Sequence, residues 1–116
     1  MDMGSVASIR EQRHEALLMR LRQAARELAA QAPHQEVWLF GSHARGDWDA
    51  RSDVDLLVVA ADQEQAERLA DAVRDRGLAD DVIALSQRAW QQRQEGNDPL
   101  WRGICRDAVR LAGGGE

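Results

Sequence analysis

The chain has one cysteine, two prolines, one phenylalanine and no tyrosine in 116 residues. A lone Cys105 cannot close an internal disulfide, which suits a reducing, cytoplasmic setting. No apolar run approaches the roughly 20 residues that a bilayer span needs. Met1 to Gln12 also lacks the apolar stretch of a signal peptide. The expectation is a cytoplasmic protein with no membrane partner. Cationic excess is missing too: 20 acids against 15 bases leave a net charge of -5. Strong nucleic-acid binding is therefore not expected from the overall charge, although Arg45 and Arg51 are candidates for a local basic pocket. Repeats and low-complexity stretches are absent apart from a terminal Gly113-Gly114-Gly115-Glu116.

With 44% hydrophobic and 30% charged residues, the composition is that of one folded domain with a real core. The length leaves no room for two lobes. The domain is expected over residues 9–112, with residues 1–8 a disordered N-terminus and 113–116 a flexible tail. Leu17, Leu18, Leu21, Ala25 and Leu28 recur at helical spacing and predict a helix from about Ile9 to Ala30, closed off by Pro33. Val37 to Phe40 is a short apolar run that predicts a buried strand. Ser42 to Gly46 predicts one helical turn, with Ser42 as N-cap and Gly46 as terminator. Val54 to Ala60 predicts a central strand.

Asp62 caps the next helix, with Gln65 as its capping-box partner, and Gly77 ends it. Asp81 to Leu85 is the third strand, and Ser86 caps a polar helix carrying Trp90. Asp98-Pro99 opens a closing helix whose Leu100, Ile104, Ala108 and Leu111 share a face. The fold class is α/β (α+β), a small mixed sheet backed by helices, with one helical layer on one sheet as the natural packing.

Chemistry concentrates in Gly41-Ser42-His43-Ala44-Arg45-Gly46 and Ser52-Asp53-Val54-Asp55-Leu56-Leu57-Val58. On a strand, Asp53 and Asp55 share a face roughly 6–7 Å apart. Carboxylates so placed can converge on metal ions held about 3.5–4 Å apart, as in two-metal phosphoryl transfer. Magnesium takes few protein carboxylates and completes its shell with phosphate oxygens and water. Gly41 lets backbone approach a phosphate, and Ser42 adds a hydroxyl at the start of a turn. Each feature also has a plain reading, a solvated strand start and an ordinary turn. A third acid would complete the set, and alternation alone allows either Asp80 or Asp81.

The two motifs, with Asp81-Val82-Ile83 on a later strand, resemble the DNA-polymerase-β-like nucleotidyltransferase superfamily, in particular its minimal (MNT-type) members. The resemblance implies that Asp53 and Asp55 are metal ligands. It selects Asp81 over Asp80 as the third acid, either a further metal ligand or the base. Gly41 and Ser42 would hold the triphosphate. Arg45 would be a phosphate contact or a structural partner of the acids.

The implied reaction is attack of an acceptor hydroxyl on the α-phosphorus of ATP, with two Mg²⁺ ions and release of pyrophosphate. Minimal members commonly pair with a helical HEPN-type protein, a ribonuclease toxin. Some serve as its antitoxin by transferring AMP to a tyrosine hydroxyl of that partner. The alternatives are a catalytically idle module that binds nucleotide or partner, and an enzyme acting on a small molecule such as an antibiotic. The last needs an acceptor pocket between copies of a homo-oligomer.

The remaining aromatic and soft residues are expected in ordinary places. His43 reads as a solvent-exposed filler and Trp38 as core. Trp48 is the tryptophan placed to reach a substrate or partner. Trp90 and Trp101 read as core or interface, and Cys105 as a small buried apolar residue. The Arg-rich first helix reads as a solvated face.

Overall fold

The computed structural model describes residues 6–49 and 51–113. Of the expected disordered N-terminus and flexible tail, residues 1–5 and 114–116 lie outside the described residues. Leu21, Ala25 and Leu28 recur on one stripe and are nearly fully buried. They hold α1 (Val6–Ala29) onto the sheet, and the helix starts a few residues earlier than its apolar periodicity suggests. Next come β1 (Glu36–Phe40), the single turn α2 (Ser42–Arg45) and β2 (Asp55–Ala60). They are followed by α3 (Gln63–Asp75), β3 (Asp81–Ser86), α4 (Gln87–Glu95), α5 (Pro99–Asp107) and β4 (Val109–Gly113). No described helix is long and apolar enough to cross a membrane.

The four strands form one mixed sheet in the order β3-β2-β1-β4. β1 runs antiparallel to both β2 and β4, whereas β2 and β3 are parallel and joined through α3. Side chains of a strand alternate between faces. Val37, Leu39, Leu56 and Val58 therefore share one face, covered by α1 and α3. Trp38, Phe40, Leu57 and Val59 share the other, covered by Trp90 of α4 and by Trp101 and Cys105 of α5. Helices thus lie on both faces, not in the one layer expected. The cause is β2, whose Leu56 to Ala60 are all nearly inaccessible and need apolar cover on each side.

The helix starts follow their capping residues. Asp62 accepts from the Gln65 amide at 2.8 Å, Ser86 from Ala89 at 3.1 Å and Asp98 from Leu100 at 2.9 Å. Ser42 does not play that part: it is the first residue of α2, Gly41 is the N-cap, and no side chain caps the turn. Gly46 ends α2 in the left-handed conformation, as expected.

The C-terminal segment differs from the expected helix. α5 stops at Asp107, Ala108 turns extended, and Val109–Gly113 pairs with β1. Without β4, β1 would be an open edge with unpaired backbone groups beside buried Val37 and Leu39. Pairing across the sheet outweighs the helical spacing of Ala108 and Leu111.

Gly113 closes this pairing at φ 88°, and a Cβ there would run into the backbone of Gln35 and Glu36. Gly113→Ala is expected to cost about 1–3 kcal/mol, measured by urea unfolding. A neutral or stabilising effect would be the signature of a helical 109–113 segment and would contradict the strand.

Candidate active site

Asp55 opens β2 and pairs in parallel register with Asp81, which opens β3. It belongs to the same sheet face as Leu57, Val59 and Phe40, the face toward α5. Burial first, and then the charges of Asp81, Asp53 and Asp80, push its carboxyl above the ordinary value. A side-chain hydrogen bond with Asp81, its neighbour in the register, raises it further. None of the ion pairs among the described residues involves Asp55.

Gly41 makes that position accessible. It adopts φ 76°, and a Cβ on it would overlap the Asp55 carboxylate oxygen Oδ2. Any other residue there would push the acid aside, so the glycine reflects close approach as well as backbone angle. Its carbonyl accepts from the amides of Ala44 and Arg45, both at 3.0 Å, which closes the α2 turn directly after β1.

The other two acids of the motif occupy different settings. Asp53 is exposed in extended chain ahead of β2 and not within the strand. Val54 between the acids packs toward the α1/α3 core, as alternation requires. Asp80 is a backbone clamp: its carboxylate accepts from the Val54 amide at 2.8 Å, and its own amide donates to the Val54 carbonyl at 2.9 Å. That bond turns its carboxylate to the Val54 backbone and leaves Asp81 as the partner of Asp55.

Asp55 and Gly41 border a cleft of about 410 Å³ whose far wall is α5, with Phe40, Arg45, Leu100 and Arg106 also lining it. Asp107 reaches the same cleft, and Ser42, Asp53 and Asp81 are not among its lining residues. Arg45 pairs with Asp47 at 3.3 Å and acts on the charge of Asp107; it makes no ion pair with Asp53, Asp55 or Asp81. Sequence reasoning missed the contribution of α5. The spacing of Leu100 and Ile104 marks an amphipathic helix but does not say which surface it covers.

His43 corrects a further expectation: it is buried, at 9% exposure, and is no solvent-facing filler. Its Nε2 lies 3.4 Å from the Ser52 carbonyl, so it ties α2 to the segment leading into Asp53. It belongs to a stack of flat rings with His14 and Trp48, the latter two 4.2 Å apart between centroids. Burial and the neighbouring His43 push His14 down from its ordinary value. Trp48 is therefore engaged with α1, where Arg10 lies over its outer face. Trp90 is core, Trp38 and Trp101 are half-buried, and burial raises the Cys105 thiol although it too is half-buried.

The fit to a divalent cation rests on Asp55. A partly buried carboxylate facing three like charges with no paired base attracts a cation. Among the described residues no three acids, histidines or cysteines cluster tightly enough to hold an ion alone. That is compatible with magnesium, whose shell is mostly phosphate and water.

A family model described as a nucleotidyltransferase domain matches residues 18–96, from within α1 through α4. No curated protein matches. A solved structure described as "Crystal structure of the toxin-antitoxin with AMP-PNP" is 23% identical, covering 86% of this chain and 73% of its own, with a TM-score of 0.40.

A raised carboxyl holds its proton longer in the folded chain than in the unfolded one. Folding stability then falls as pH rises from 3.8, the ordinary aspartate value, through the raised one. Asp55→Asn is expected to stabilise the metal-free protein at pH 7 by about 0.5–1 kcal/mol, the scale of facing like charges in a sheet. The gain should shrink toward pH 3.8. Thermal unfolding of both proteins across that range checks it, and a less stable variant at pH 7 would contradict the assignment.

Proposed function

The chain belongs to the nucleotidyltransferase domain family, and from that premise we propose that it is a magnesium-dependent adenylyltransferase acting on a hydroxyl of a partner protein. The observation that carries the reading is Asp55, which pairs in register with Asp81 and lies against Gly41 at the edge of a cleft that Arg45 also lines. Transferring a nucleoside monophosphate requires a place for a polyphosphate, a place for cations and a base near the incoming hydroxyl. This corner supplies candidates for all three.

In the proposed reaction an acceptor oxygen forms a bond to the α-phosphorus while the bond to the bridging oxygen of the β-phosphate breaks, releasing pyrophosphate. The acceptor proton passes to a carboxylate of the cluster. Asp81 is the candidate base: it is exposed and adjoins Asp55 in the parallel register of β2 and β3. Asp53 and Asp55 are the proposed magnesium ligands, with Asp81 as a further one. Bound magnesium would neutralise charge on the attacking and leaving oxygens. Gly41 and Ser42 are proposed to cradle the triphosphate, which Gly41 permits by keeping side-chain bulk off the Asp55 carboxylate.

The finer identity, an antitoxin that transfers AMP from ATP to a HEPN-type helical partner, is supported by the likeness of Gly41–Gly46 and Ser52–Val58 to the minimal members. The exposure of Asp53 in the chain ahead of β2, away from the cleft lining, favours a second reading. There the protein neutralises its partner by contact and the site is idle.

Incubation with labelled ATP, magnesium and the helical partner separates the two. Transfer of label to the partner is expected, with a loss on the order of 10³-fold in Asp53→Ala/Asp55→Ala, the scale of removing charge stabilisation from a phosphoryl-transfer site. No label on the partner with either protein would reject transfer. Protection of cells by the Asp53→Ala/Asp55→Ala/Asp81→Ala variant would favour neutralisation by contact.

A further inference from the structure

The wall of the cleft opposite Gly41 is α5, which begins after residue 96, where the family match ends. It brings a second arginine to the same space: Arg106 lines the cleft together with Arg45, Gly41 and Asp55. The Arg106 guanidinium forks onto its neighbour Asp107 through Nε at 3.3 Å and Nη2 at 3.2 Å. Arg106 is three-quarters exposed, whereas Asp107 is one-quarter exposed. Asp107 is held below the usual carboxylate range, chiefly by the Arg106 hydrogen bond and further by the charges of Arg106 and Arg45. A carboxylate thus sits in the field of two arginines at the mouth of the cleft.

The planar guanidinium fork that grips two carboxylate oxygens grips two phosphate oxygens equally well. Every one of the chain's 15 bases is an arginine, so no lysine competes for that role. The Arg106–Asp107 pair joins adjacent residues with Arg106 well solvated, which makes it a weak pair that a more highly charged anion can displace. Without ligand the cleft balances two arginines against Asp55 and Asp107, which leaves the arginines committed only to carboxylates of this chain.

We propose that Arg106 and Arg45 together grip the polyphosphate of the incoming nucleotide, and that Asp107 is an internal stand-in that releases Arg106 when the polyphosphate arrives. The inference rests on the nucleotidyltransferase reading of this cleft. Arg106 is a substrate-binding residue, and Asp107 is a positioning residue that acts through it. Two consequences separate this from a structural role. Arg106 should discriminate by phosphate number, and removing Asp107 should improve binding.

The test is binding of the fluorescent nucleotides mant-ATP and mant-AMP, with magnesium, to the whole chain and its variants. Arg106→Ala is expected to weaken mant-ATP about tenfold and mant-AMP by less than about twofold, since a charge-assisted fork is lost only where phosphates reach it. Arg106→Lys should recover part of the loss by restoring charge without the fork. Asp107→Asn should tighten mant-ATP about threefold, opposite in direction to any general loss of structure. If Arg106→Ala binds mant-ATP as the wild type does while Asp53→Ala/Asp55→Ala does not, the proposal is overturned and the nucleotidyltransferase reading stands. A wild-type chain that binds no mant-ATP overturns both.

Discussion

A partly buried carboxylate pressed against a bare α-carbon, ringed by three other acids and paired with no arginine, sets the terms for this molecule. Such an arrangement costs the isolated chain stability, because like charges and desolvation both oppose ionisation. The surrounding structure holds it regardless. β2 is pinned between β1 and β3, the Val54 backbone is clamped by Asp80, and Gly41 stands against the Asp55 carboxylate. Local strain maintained by so many independent contacts is a mark of function, since relaxing it would take only a side-chain rotation at an unconstrained site.

The sheet explains why the acids meet where they do. A parallel β2–β3 pair joined through α3 starts both strands at the same end, so two aspartates that each begin a strand become neighbours. Alternation then carries Asp55 to the face of Phe40 and Leu57, which is the face that α5 overlooks. The same parity sends Val54 to the opposite core. One register therefore decides which acids gather and which helix closes the cleft. The nucleotidyltransferase family match covers β1 to β3 and the motif but neither that helix nor β4.

What could be read from the residues alone was local. The apolar run at Val37–Phe40, the caps at Asp62, Ser86 and Asp98, and the left-handed Gly46 all depend on neighbours within a few positions. The motif residues were legible because small and acidic residues at fixed spacing carry chemistry with them. Illegible features depended on distant partners. The 109–113 segment has helical spacing, and only the free edge of β1 makes it a strand. His43 is polar and lies in a polar turn, yet α1 and Trp48 bury it. Asp53 and Asp55 looked equivalent, but β2 begins between them, and one is exposed while the other is drawn inward. Arg106 and Asp107 gave no signal at all, because nothing in a helical pattern records what stands across a cleft.

The claim that the Gly41–Asp55–Asp81 corner is where cation and polyphosphate meet is tested most directly by paramagnetic broadening. Manganese(II), standing in for magnesium, would be added with a non-hydrolysable ATP analogue while backbone amide resonances are recorded. Broadening centred on Gly41, Asp55 and Asp81, and dependent on the nucleotide, is the predicted result. Broadening spread over the acidic surface, or centred away from β2 and α2, would contradict it.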